Sequence, residues 1–185
     1  QASEVRRVKR FKNGFISDPI CLSPDGTVGD VLAIKATYGY SGIPITDTGA
    51  MGGKLMGIVS NRDITFLDDK SMKLVEIMTP RERLITVREG ASLEEGKTLM
   101  HQHKLERVLV VNEAFELKGL ITVKDITKQL NFPNAARDGA GRLRVGAAVG
   151  VGEGTEERVD ALVRAGVDAI VVDTAHGHSK GVIER

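Results

Sequence analysis

An α/β protein built from two kinds of unit is what this sequence predicts, and three observations carry that expectation. A hydrophobic run ending in a hydroxyl residue and an acid occurs twice, as GIVSNRDI (Gly57 to Ile64) and as GLITVKDI (Gly119 to Ile126), 62 residues apart. Each copy follows the same succession of turn, helix and hairpin. Beyond Asn131 the texture changes to strand, helix and strand, the pattern of a parallel βαβ unit.

The elements of the repeat can be placed in order. Asp18-Pro19 corresponds to Thr79-Pro80, and the turn at Pro24-Asp25-Gly26 to Arg88-Glu89-Gly90. Helices are expected over Val28 to Tyr38 and Leu93 to His103, the second with an apolar face through Leu93, Leu99 and Met100. Two β-like runs follow in each copy, Gly42 to Thr46 then Lys54 to Val59, and Arg107 to Val111 then Leu117 to Ile121, split by polar turns. The first turn, Asp47 to Gly53, is the longer, so Gly42 aligns with Arg107 at an offset of 65 residues. One unit of roughly 60 residues is small for an independent core, so two should pack together.

Ser60-x-x-Asp63 and Thr122-x-x-Asp125 set a hydroxyl at a helix start and an acid three residues on. A capping box needs that pattern, and the acid also suits the helix dipole. Ligand chemistry fits it too: free N–H groups for a phosphate, a hydroxyl and carboxylate for a ribose diol, with Arg62 and Lys124 inside the motifs to offset the acids. Ile43, Pro44 and Ile58 in one copy, and Val108, Leu109 and Ile121 in the other, are candidates for a slot holding a base, or else ordinary core.

Element order and doubled motif resemble the cystathionine-β-synthase (CBS) domain, whose pairs form a Bateman module, over about Gly14 to Leu130. The resemblance implies that Ser60, Arg62, Asp63, Thr122, Lys124 and Asp125 bind a regulatory purine nucleotide, ATP or GTP/GDP. With Arg107 standing where the first copy has glycine, the two sites are expected to differ in affinity.

In the last third, Arg144 to Val149 reads as a buried strand, Thr155 as the cap of a helix beginning Glu156-Glu157, and Ala169 to Val172 as the next strand. Gly150, Gly152 and Gly154 mimic a dinucleotide fingerprint, but the spacing is G-x-G-x-G, and acids crowd the place of the pyrophosphate. The polar loop Asp173 to Ser179 at a strand's C-terminal end suits a (β/α) barrel better. GRLRVGAAVG, AGVDAIVVDTAHGHS and the lead-in QASEVRRVKRFKNGFISDP resemble the IMP dehydrogenase family, in which a Bateman module is inserted into the barrel. The expected fold is thus α/β, a tandem CBS pair with an incomplete TIM (β/α) barrel segment: linker 1–13, repeats 14–70 and 71–130, barrel segment 131–185.

That resemblance implies NAD-dependent oxidation of IMP to XMP, a homotetramer or an octamer joined through the repeats, and a potassium site outside this sequence. Asp173, beside Thr174 and Ala175 where the family often has two serines, is expected to contact the NAD ribose. No catalytic residue is expected here, because Cys21 lacks the nucleophile's flanking residues, so the chain should be inert alone, a fragment cut at both ends. GMP reductase shares the barrel but normally lacks the repeats, which therefore argue against it.

Composition excludes several classes. With 26 basic against 25 acidic residues there is no electrostatic reason for nucleic acid or an anionic membrane, and the basic opening Arg6, Arg7, Lys9, Arg10 and Lys12 reads as a solvated linker. A single cysteine rules out an internal disulfide, and His176 with His178 and no third ligand does not indicate a metal. Without a long apolar run the expectation is a cytoplasmic protein.

Overall fold

The computed structural model describes residues 1–12 and 15–184, and for Phe11, Lys12 and Gln129 the backbone alone. The expected start of the first repeat at Gly14 and the side chain of Lys12 lie outside the described residues. In chain order the elements are α1 (Ala2–Lys9), β1 (Phe11–Lys12), β2 (Phe15–Ile16), α2 (Val28–Tyr38), β3 (Gly42–Thr46), β4 (Leu55–Ser60), α3 (Asn61–Ile64), α4 (Leu74–Ile77), β5 (Thr79–Pro80), a 3-10 turn (Arg81–Arg83), β6 (Thr86–Arg88), α5 (Leu93–His103), β7 (Arg107–Val111), β8 (Leu117–Thr122), α6 (Val123–Asn131), β9 (Gly146–Val149), α7 (Thr155–Arg164), β10 (Ala169–Val172) and α8 (Lys180–Ile183). They form two units, Gly14–Asn131 and Gln1–Asn13 with Phe132–Arg185. Among the described residues no helix is long and apolar enough to cross a membrane.

In the first unit the two long helices start at capping boxes. Thr27 and Ser92 are the N-caps, and the carboxylates of Asp30 and Glu95 accept the cap residues' own N–H groups at 2.8 and 2.6 Å. Helix α2 ends at Gly39, whose left-handed backbone suits glycine. Val28 and Val31 of α2 pack on Ile43, Ile45 and Val59 of β3 and β4, and in the second repeat Met100 of α5 meets Val108, Val110 and Ile121 of β7 and β8. A third cluster joins the copies, with Cys21 and Leu55 against Leu109, Val111, Leu117 and Leu120.

The sheets show what periodicity did not. Strands β3 and β4 pair antiparallel, as do β7 and β8, but β4 takes β5, from the start of the second repeat, as its other neighbour. Conversely β8 pairs with β2, from the start of the first. The opening strands are exchanged. Residues 71–78, placed in the second repeat by sequence, also pack on the first, where Leu74 is fully buried with Val28 and Ile45.

Glycine makes the exchange possible. A Cβ on Gly57 would sit 2.7 Å from the Thr79 carbonyl oxygen, and one on Gly119 would sit 2.8 Å from that of Ile16. The glycine opening each copy of the motif is therefore a point of backbone contact between repeats. Gly119→Ala is expected to lower stability by about 1–3 kcal/mol through overpacking. Urea unfolding should show a lower midpoint at unchanged slope, and an unaltered midpoint would mean that β2 yields freely.

In the second unit β9 and β10 pair in parallel around α7, a βαβ arrangement. Strand β9 is shorter than expected, and only its Val149 is buried, because among the described residues the two strands pair with each other alone and their core lies on one face, with Leu162, Ala165 and Val5. Thr155 does not cap α7. Gly154 holds the cap position with left-handed backbone, and the Thr155 hydroxyl donates to the Gly152 carbonyl at 2.6 Å.

The basic opening is not a linker either, since residues 2–9 form α1 and its Val5 enters that core. Lys9, buried, reaches Asp168 at 2.6 Å and Asp138 at 3.3 Å. Desolvation pushes the Asp138 carboxyl upward, but hydrogen bonds from the Arg142 backbone and guanidinium and from Lys9 outweigh it and hold it down at about 2. A depressed folded value means that this contribution is complete above the unfolded aspartate range near ~3.9 and lost as pH falls towards about 2. A carboxyl-carbon NMR titration should place the Asp138 midpoint near 2 and move it upward in Lys9→Met. An ordinary midpoint in the wild type would refute the Lys9 attachment.

Candidate functional site

Two clefts lie within the unit Gly14–Asn131, and each combines the motif of one repeat with the start of a hairpin strand from the other. The smaller, about 240 Å³, is lined by Ser60, Asn61 and Arg62 of the first motif and by Glu106-Arg107 at the head of β7. The larger, about 580 Å³, is lined by Thr122, Lys124 and Asp125 of the second motif and by Tyr40, Ser41 and Gly42 at the head of β3. Ser41, Asn61, Glu106 and Arg107 border both.

The same backbone bond recurs in each copy. The N–H after the hydroxyl residue donates to the carbonyl just before the hairpin strand, Asn61 to Ser41 at 3.1 Å and Val123 to Glu106 at 2.9 Å. The motif's hydroxyl and acid face each other. Asp63 accepts from the Ser60 N–H at 2.6 Å and from its hydroxyl at 2.7 Å, and Asp125 accepts from the Thr122 hydroxyl. Asp63, half-buried, is not among the residues lining the smaller cleft, whereas the buried Asp125 lines the larger one. Helix α3 is a single turn of four residues, too short for the phosphate-binding helix start the sequence suggested, while α6 has nine.

The proposed base slots sort differently from the sequence reading. Ile43, Pro44, Val108 and Ile121 are fully buried core, and only Ile58 and Leu109 reach the smaller cleft. The apolar wall of the larger cleft comes instead from Ile16, Pro19, Ile20 and Leu120, with Tyr40 stacked on Tyr38 at 5.5 Å between ring centroids. Arg83 and Lys128, which lie outside the repeated motifs, add cations.

Arg107 was noted in the sequence only as a mismatch with Gly42, and the two positions are in contact. Its guanidinium donates to the Ser41 carbonyl and hydroxyl, each at 2.7 Å, and to Glu106 at 3.2 Å, lying where a Cβ on Gly42 would be 1.4 Å from its nitrogen. Burial lowers the Arg107 pKa, Glu106 opposes that, and Arg62 adds to it.

In the other unit, Asp173, Thr174 and Ala175 follow β10, as expected of a loop at a strand's C-terminal end. The Asp173 N–H donates to the Val149 carbonyl at 2.9 Å, while its carboxylate is exposed; the Thr174 hydroxyl donates to the His176 carbonyl at 3.2 Å. Cys21 is buried in the core shared by the repeats, and burial, helped by Asp18, pushes its thiol up to about 12. It is a packing residue, not a nucleophile. At pH 8 the folded chain should resist iodoacetamide and react once unfolded in urea; fast modification of the native chain would contradict that burial.

A mixed α/β chain with a parallel βαβ unit and a twice-built polar cleft defines a class in which an enzyme-type α/β segment carries a repeat unit. Comparison with known proteins names the family. Residues 1–185 match the IMP dehydrogenase / GMP reductase domain, and the chain belongs to that family. It is 50% identical over 185 residues to the inosine-5'-monophosphate dehydrogenase of Haemophilus influenzae and 47% identical to that of Escherichia coli K12, in each case over 100% of this chain and 37% of the relative. The chain thus spans little more than a third of these relatives.

Among solved structures, GMP reductase from Trypanosoma brucei in complex with guanosine 5'-triphosphate matches with a TM-score of 0.80 at 32% identity, over 100% of this chain and 44% of that one. The expectation that the repeats argue against GMP reductase is therefore corrected. That enzyme's structure spans residues 14–131 of this chain along with the rest.

Proposed function

We propose that this chain is part of an IMP dehydrogenase and that residues 14–131 are its regulatory CBS pair, binding a purine nucleotide in one or both clefts. The observation that carries the reading is the double construction of the clefts, each joining one repeat's hydroxyl motif to the other's strand start. Three guanidinium groups, Arg62, Arg83 and Arg107, face one carboxylate, Glu106, in the smaller cleft, and Arg107, Lys124 and Lys128 face Glu106 and Asp125 in the larger. An excess of cations beside hydroxyls and an apolar wall suits a phosphorylated nucleoside. The greater identity to the dehydrogenases than to the reductase favours IMP oxidation for the parent enzyme. In that enzyme the exposed Asp173 carboxylate, with Thr174 and Ala175, meets the NAD ribose, whose two hydroxyls it is free to accept. With the remaining parts of the barrel supplied elsewhere, this chain turns over no IMP by itself.

A second reading, a CBS-type scaffold that assembles oligomers without a ligand, is favoured by one observation: both motif acids already accept their own hydroxyl, as a helix cap does. Calorimetric titration of the chain with ATP, ADP, GTP and GDP in magnesium, with oligomer size followed by light scattering, separates the two. Saturable binding, weakened about tenfold or more in Asp125→Asn with Lys124→Ala, is the expected result; a bidentate or charge-assisted contact is worth about that much. Absence of heat with all four nucleotides would leave the scaffold.

A further inference from the structure

We propose that Arg107 is a single anion-binding side chain shared by the two clefts, so that an anionic nucleotide in the smaller cleft weakens anion binding in the larger. The inference rests on the nucleotide-binding reading and adds a coupling between its two sites.

Arg107 borders both clefts, with a side chain only 13% exposed. The repeat makes it unpaired in a specific sense: its counterpart is Gly42, which has no side chain, and the guanidinium occupies the space so left. Among the described residues there is one such cation for the two clefts. At rest it is held on Ser41 by two bonds of 2.7 Å to neutral oxygens and, more loosely, at 3.2 Å on the solvent-exposed Glu106 carboxylate. A phosphate oxygen is the stronger acceptor, because charge-assisted bonds are roughly twice as strong as neutral ones.

Charge decides which cleft takes it. In the smaller cleft Arg62 and Arg83 leave an excess of positive charge that an anion neutralises, drawing Arg107 in with them. Without Arg107 the larger cleft keeps Lys124 and Lys128 against Glu106 and Asp125, two of each sign. Filling the smaller cleft therefore removes the larger one's net attraction for an anion, and thermodynamic reciprocity requires the converse effect to be equal.

The test uses the full chain, isoleucine-methyl labelled and titrated with ADP in magnesium. Ile58 and Ile85 report the smaller cleft, and Ile16 and Ile20 the larger. Arg62→Gln with Arg83→Gln, both exposed side chains, disables the smaller cleft. ADP should then bind the larger cleft about five- to tenfold more tightly than in the wild type, the lower end of ordinary coupling between sites. In Arg107→Gln the same pair of substitutions should leave the larger cleft's affinity unchanged, and Arg107→Lys, which keeps stem and charge, should retain the coupling. If both sets of methyls respond but the larger cleft is indifferent to Arg62→Gln with Arg83→Gln, or if only one set responds, the shared-arginine inference fails while nucleotide binding stands. If neither set responds to ADP, the nucleotide-binding reading falls, and the inference with it.

Discussion

At Gly57 and Gly119 the last strand of each hairpin meets the backbone of a strand that began in the other repeat, at a distance that leaves no room for a Cβ. Most of the first unit follows from that double contact. It commits β5 to the sheet of the first repeat and β2 to that of the second, so neither sheet is complete without the other's chain. It also brings Leu55 and Cys21 against Leu109, Leu117 and Leu120, giving two small repeats the shared core that neither could bury alone.

The exchange also creates the clefts. Because each motif sits beside the other repeat's strand head, hydroxyl and cation come from one copy while Ser41-Gly42 or Glu106-Arg107 come from the other. Capping and ligand chemistry then compete for the same atoms. Asp63 is committed to Ser60 and does not line the smaller cleft, whereas Asp125 makes the matching bond and still lines the larger one. A motif repeated in chemical pattern thus presents different groups to its cleft in its two copies. The mismatch between Gly42 and Arg107 deepens that difference.

In the other unit an ion cluster does what strand pairing does in the first. Lys9 at the end of α1 bonds to Asp138 and Asp168, and Asp168 also accepts the Val145 N–H at 2.7 Å. Segments far apart in sequence, before and after the repeats, are held there on one side chain. Its burial explains why a basic run that looks like a solvated tail contains one lysine nearly inaccessible to water.

By itself the sequence determined the repeat, its register and the bounds of its long elements: α2, α5, β3 and β7 run where periodicity and turn residues put them. It also determined the family, through motifs that reach across the whole chain. Those features are local, written in alternation, helical spacing and a doubled signature. What only the tertiary structure decided is which residues face one another: the exchanged strands, the core positions of Ile43 and Val108, and the contact of Arg107 with Ser41 and Gly42. Such pairings join residues from 21 to 106 positions apart, and a one-dimensional pattern holds no record of them because close packing, not local propensity, selects the partner.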